Sequence, residues 1–144
     1  MERTFTVDEA QRLLPVLKTL LSKAIEARSK LQELEAELGK LKSRIFLSGG
    51  LLPDVRYLQA RKADRDQYLQ LQNKSLAEID SIGVQVKDLD IGLLDFPCMV
   101  DGELILLCWK MGEEQIGFWH GPEEGFRGRK PIDERIRGRG DKFM

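Results

Sequence analysis

LLPVLKTLLSKAIEARSKLQELEAELGKLKSRI, residues 13–45, is the stretch whose reading decides the fold. Within it Leu13, Leu17, Leu20, Ala24, Ala27, Leu31, Leu34, Leu38, Leu41 and Ile45 recur at alternating steps of four and three. That 3.5-residue period specifies a long helix whose apolar seam packs on a neighbouring helix in coiled-coil fashion. At 1.5 Å per residue it spans roughly 50 Å. Just upstream, Thr6 and Glu9 have the spacing of a capping box, in which each side chain accepts from the other's backbone N–H. Pro15 cannot donate to the carbonyl of Gln11; because the apolar pattern runs through it, a kink is expected rather than a break. Ser48-Gly49-Gly50 ends the helix and Pro53-Asp54 opens a second one. The second seam reads Leu58, Lys62, Arg65, Leu69, Gln72, Leu76 and Ile79, and three of these residues are polar. An antiparallel hairpin with so unequal a pair of faces leaves the first seam under-covered. A second copy of the chain, as homodimer or higher oligomer, is therefore the expected partner.

After Gly83 the period falls to two. Val100-Asp101-Gly102-Glu103 is a two-residue hairpin signal, since Asp-Gly tolerates the positive φ of a type I′ turn. That turn sets Met99 opposite Leu104, Cys98 opposite Ile105, Phe96 opposite Leu107 and Asp95 opposite Cys108, so no in-register disulfide is expected. A further strand, Gln115–His120, follows a turn at Met111–Glu114. The fold class is therefore α+β: a long antiparallel, coiled-coil-like helical hairpin over residues 1–82, then a small three-stranded antiparallel β meander over residues 83–131. The meander is expected to pack on the hairpin end within the same domain, with residues 132–144 as a disordered tail. Both faces of Leu104–Trp109 are apolar; one covers the helices, and the other needs a lid from residues 84–97, the tail or a second subunit.

Composition narrows the function classes. The 144 residues carry 23 Lys and Arg against 24 Asp and Glu, with 42% hydrophobic residues, which excludes a wholly disordered chain. No run approaches the roughly 18 apolar residues of a membrane span, and no signal peptide is read. One His and two Cys exclude a zinc finger and point to a reducing cytoplasm. The near-zero net charge is a cancellation: residues 83–124 hold nine acids against two bases, and residues 125–144 hold seven bases against three acids. Such a tail most simply folds back on the acids. A nucleic-acid interface also needs a basic face on the folded body, and residues 1–82, with 14 bases and 12 acids, do not supply one.

Three groups of residues could carry chemistry. Asp88, Asp90 and Asp95 cluster as carboxylates suited to Mg²⁺, Mn²⁺ or Ca²⁺, and with His120 to a transition metal. The opposing account has these acids capping turns and pairing Arg127 and Arg129. The turn at Met111–Glu114 also directs Asp95 and His120 to opposite faces, although one slipped residue reverses that. His120 with Cys108 could form a nucleophilic pair, but Cys108 sits mid-strand among leucines as a small hydrophobe. Gly121-Pro122-Glu123-Glu124-Gly125-Phe126-Arg127-Gly128-Arg129 is a glycine-punctuated loop ending in arginines. It could hold a small anion with Arg127, Arg129 and Trp119; the alternative is a crossing loop in which Phe126 plugs the core.

Several of these blocks carry a family likeness. Phe5-Thr6 with Glu9-Ala10 and Leu13-Leu14-Pro15, Val86-Lys87-Asp88-Leu89-Asp90 through Gly92, Asp95, Phe96 and Pro97, Leu107-Cys108-Trp109, and Trp119-His120 with Gly125-Phe126, Gly128-Arg129 and Pro131 resemble the uncharacterised bacterial family called domain of unknown function 2203. The resemblance runs to about Ile132. It brings no activity, substrate or cofactor, but implies that function sits among Asp88, Asp90, Asp95, Trp119, His120, Arg127 and Arg129. The expectation is a self-associating cytoplasmic interaction protein with a polar surface on the β module, with no reaction assigned to it. The alternatives are a small metal- or anion-binding domain or enzyme using the Asp/His/Arg cluster, and nucleic-acid binding through the helical arm and basic tail.

Overall fold

The computed structural model describes residues 3–50 and 52–139. Helix α1 runs Val7–Ser48 and α2 runs Leu52–Ile82. They precede a five-stranded antiparallel sheet of order β1-β2-β3-β4-β5: Gln85–Asp88, Leu93–Val100, Glu103–Lys110, Phe118–His120 and Lys130–Pro131. A short helix α3, Glu134–Arg139, follows. The class is α+β with two long helices packed together. The chain divides into two compact units, Met1–Leu21 with Leu76–Met144, and Ser22–Ser75. Among the described residues no helix is long and apolar enough to cross a membrane.

In the unit Ser22–Ser75, Ala24, Ala27, Leu31, Leu34, Leu38 and Leu41 of α1 are all buried against α2 within one chain. The polar residues of the α2 seam explain how. Lys62, Arg65 and Gln72 are half-buried, the exposure expected of side chains whose stems cover apolar surface while their polar ends reach water. Leu69, read as a seam position, is instead exposed, and Tyr68 beside it is half-buried. Hydrogen bonds cross the helices on the rim: Tyr57 Oη donates to Glu37 at 2.6 Å, Arg61 Nη2 to Glu37 at 2.9 Å, and Arg44 Nη2 to Asp54 at 2.8 Å.

In the other unit the capping box forms as read, with Thr6 N–H donating to Glu9 Oε1 at 2.8 Å and Glu9 N–H to Thr6 Oγ1 at 3.1 Å. The buried stripe starts earlier than residue 13, at Val7 and Ala10, and passes through Leu14, Leu17 and Leu21. Leu14 rather than Leu13 is buried because this end of α1 must cover the sheet as well as α2. Pro15 lies inside unbroken α1 with its ring exposed. Phe5 docks edge-on to Phe96 at 5.8 Å, and its N–H donates to Pro97 O at 2.7 Å. Lys18 lies over Trp109 at 5.7 Å.

The first hairpin has the register expected of the Asp-Gly turn, with Asp101 at φ 51° and Gly102 at φ 79°. Three expectations need correction. The meander has five strands, because β1 and β5 pair on either edge of the three expected. The strand before His120 is only Phe118–His120, with Cys108 opposite Phe118 and Leu106 opposite His120. This is one residue out of the register that a turn at Met111–Glu114 dictates, because residues 111–117 stay outside the ladder. Trp109 Nε1 donates to Glu113 O at 3.0 Å, Lys110 N–H to Glu113 Oε1 at 2.7 Å, and Ile116 N–H to Gln11 Oε1 at 2.9 Å. Finally, residues 134–139, expected to belong to a disordered tail, form α3 with Ile136 buried; residues 140–144 of that tail lie outside the described residues.

Candidate functional site

Side chains alternate across a strand, so the register sorts the sheet into two faces. Leu94, Phe96, Cys98 and Val100 of β2 share a face with Ile105, Leu107 and Trp109 of β3, and all are buried. This is the face that meets α1. The opposite face carries Asp95, Cys108, Leu106, Phe118 and His120. The one-residue shift in the second hairpin thus puts His120 on the same face as Asp95, reversing the expectation from sequence. The lid is the chain's own loop 121–129, whose Arg129 guanidinium lies 4.1 Å from the Phe118 ring centre and 4.8 Å from that of Phe126.

Beneath that loop Asp95 and His120 are 1% and 2% exposed. His120 Nε2 stands 3.0 Å from Asp95 Oδ1, and His120 Nδ1 stands 2.8 Å from Gly121 O. A carbonyl only accepts, so Nδ1 carries a hydrogen. An ionised carboxylate also only accepts, so a second hydrogen must lie between Nε2 and Oδ1. The pair shares that proton and is neutral as a unit. Asp95 Oδ2 is buried with no hydrogen-bond partner, and such an atom calls for an explanation. The Cys108 sulfur belongs to the same cluster: one ligand atom from each of Asp95, Cys108 and His120 lies within 4.8 Å of the others. Burial first, then the negative charge of Asp95, push the Cys108 thiol up to about 12. A thiol so held is a poor nucleophile, and His120 faces Asp95 with both its nitrogens engaged, so the geometry does not build a Cys-His catalytic pair.

A cleft of about 320 Å³ reaches this cluster, lined by Lys87, Asp88, Leu93, Asp95, His120, Glu124, Gly125 and Phe126. Asp88 lines it but stays outside the cluster. Its Oδ1 accepts from Asp90 N–H at 2.9 Å and Ile91 N–H at 3.3 Å, closing the turn between β1 and β2. Asp90 lies exposed on that turn, so of the three clustered acids only Asp95 joins His120.

The glycine-rich loop binds anions, but they are the chain's own. Arg129 Nη2 donates to Glu113 Oε1 at 2.6 Å and Oε2 at 2.9 Å, and to Cys108 O at 3.2 Å. Gly121 N–H donates to Glu124 Oε1 at 2.8 Å, and Lys130 Nζ to the same oxygen at 2.6 Å. The Lys130 ammonium, then the Gly121 N–H, hold the Glu124 carboxyl below the usual carboxylate range. Gly128 makes room for this arrangement, since a Cβ there would stand 2.8 Å from Glu124 Cβ. Arg127 is exposed. Trp119 points to the face opposite His120, with Lys130 Nζ at 4.6 Å and Arg135 Cζ at 6.0 Å from its ring centre. Arg127, Arg129 and Trp119 therefore do not converge. Sequence reasoning named Asp95 and His120 as metal candidates and weighed Cys108 only as a nucleophile; its pairing with Asp95 was the signal that places it beside them.

No curated protein and no solved structure matches this chain. The profile of the family described as uncharacterized conserved protein (DUF2203) matches residues 3–132, helices and sheet together, and the chain belongs to that family.

Proposed function

We propose that this protein is a divalent-cation-binding domain whose centre is the Asp95–His120 pair at the foot of the cleft. The observation that carries the reading is Asp95 Oδ2, a fully buried carboxylate oxygen with no partner, set beside a histidine whose other nitrogen is committed to Gly121 O. A ring N–H donated to a backbone carbonyl is what orients a metal-binding imidazole; the opposite nitrogen, Nε2, faces Asp95 Oδ1, and an ion would take the place of the proton between them. The test is elemental analysis of the purified chain, and thermal unfolding of chelator-treated protein with added Mn²⁺, Zn²⁺ or Mg²⁺. A bound cation stabilises by RT ln(1 + [L]/Kd), about 2.7 kcal/mol at a hundredfold excess over Kd. The expected result is one cation per chain and an upward shift that His120→Ala and Asp95→Ala abolish. No cation and no shift with any of the three would overturn the reading.

A second reading, self-association in the cytoplasm through a coiled-coil-like hairpin, draws support from the hairpin tip. Phe46 and Leu47 are 85% and 80% exposed side by side, whereas large adjacent apolar side chains on a surface suit an interface. Light scattering coupled to size exclusion is expected to give a dimer or larger species that Phe46→Ser with Leu47→Ser converts to a monomer. A parent chain that is already monomeric at tens of micromolar removes this reading.

A further inference from the structure

We infer that Cys108 is the third ligand of the centre, so that the site takes a thiophilic, zinc-class cation through one oxygen, one nitrogen and one sulfur. This rests on the cation-binding reading and narrows it. Three observations lead here. Cys108 Sγ lies with Asp95 and His120 in one cluster spanning 4.8 Å or less. The register requires it, since Cys108 is the direct cross-strand partner of Asp95 and shares the face of His120. And Asp95 Oδ2 is buried with no hydrogen-bond partner of good geometry, while the Cys108 thiol bears on the same carboxyl.

Charge balance selects a divalent ion. Before binding, the thiol is neutral and the Asp95–His120 pair, with its shared proton, is neutral. On binding, the thiol proton and the shared proton leave to solvent. The two positive charges of the ion then meet one thiolate, one carboxylate and a neutral imidazole, and the site is neutral again. A monovalent or trivalent ion would leave a net charge in a buried site, which is costly. Softness selects among divalent ions: Mg²⁺ and Ca²⁺ take oxygen ligands, whereas Zn²⁺ binds thiolate, imidazole and carboxylate together. A thiol held protonated by burial yields its proton to an ion that bonds sulfur strongly. Three protein ligands with one tetrahedral position left over is the pattern of zinc sites that keep a water or a substrate atom. Asp95 and His120 both line the cleft, so that position belongs to what enters it.

The experiment is titration of the full chain with Co²⁺, followed by Zn²⁺ displacement. Co²⁺ stands in for Zn²⁺ and shows a near-ultraviolet charge-transfer band when bound to thiolate. The wild type is expected to bind one Co²⁺ with that band. Cys108→Ser and Cys108→Ala are expected to lose the band and to bind Zn²⁺ at least about tenfold more weakly, the lower end of what disturbing even a supporting group costs. Circular dichroism of both metal-free variants checks folding; Ala serves if Ser, with its hydroxyl among leucines, does not fold. Co²⁺ that binds and is lost in His120→Ala, but shows no band and is indifferent to Cys108→Ala, overturns the third ligand and leaves the cation reading intact. Failure of every cation to bind overturns both.

Discussion

Replacing His120 by Ala is expected to destabilise the metal-free chain by about 3–5 kcal/mol, the cost of breaking a buried ion pair by removing one partner. The magnitude follows from what remains. Asp95 already has one oxygen, Oδ2, without a partner; the substitution removes the Nε2 contact at 3.0 Å from the other. It also frees the Gly121 carbonyl at the start of the lid and leaves a ring-sized space. Cavity formation alone costs a comparable amount at some buried sites, so the single variant does not identify the cause. The cycle of His120→Ala, Asp95→Ala and the double variant does. If the two side chains act as one proton-sharing unit, the double variant costs less than the sum of the singles by about 1–3 kcal/mol, in the range of coupled neighbours. Urea unfolding with an unchanged m-value is the measurement. Additivity within about 0.5 kcal/mol would show two independently packed residues instead.

What was legible in the sequence follows from how local the determinants are. The α1 stripe and the Thr6–Glu9 box rest on spacings of three and four residues, and both are present in the fold. The register of the first hairpin was legible because Asp101 and Gly102 fix it within two residues. The second was not. Residues 111–117 are held out of the ladder partly by Gln11, 105 positions from its partner Ile116, and no local signal announces that bond. One residue of slip then decided whether Asp95 and His120 shared a face. Cys108 reads as a small hydrophobe among leucines and is buried as one; only the convergence of three strands gives it polar company. The glycine-arginine loop leaves an anion site and a crossing loop both open because its donors are local, while Glu113, which occupies Arg129, comes from the preceding connection. The polar residues on α2 suggest a seam left open, whereas Leu31, Leu34, Leu38 and Leu41 of α1 are buried within the chain.

The second large effect is expected at Arg129, where Arg129→Lys should cost about 2 kcal/mol despite keeping the charge. The guanidinium lies between the rings of Phe118 and Phe126 while Nη2 reaches both oxygens of Glu113 and the Cys108 carbonyl. A planar cation stacks between two rings and still presents N–H groups at its edge; an ammonium does not meet both requirements from one position. A charge-assisted hydrogen bond contributes roughly 1.5–3 kcal/mol and a cation–π contact roughly 0.5–2. Lysine keeps part of the first and most of neither stack. The burial of Arg129 Nε without a partner means that the parent residue already carries an unsatisfied donor, so part of the loss is offset when that atom disappears. Because Arg129 ties the lid to the sheet face that holds Asp95, Cys108 and His120, its replacement should also speed proteolytic cleavage within residues 121–129. Arg129→Met, which fills the space between the rings without charge, separates the causes. If Met is more stable than Lys, packing between Phe118 and Phe126 holds the lid; if Lys is the more stable, the bond to Glu113 does. A Lys variant equal to the parent in both stability and cleavage rate would show that the lid is held by contacts other than Arg129.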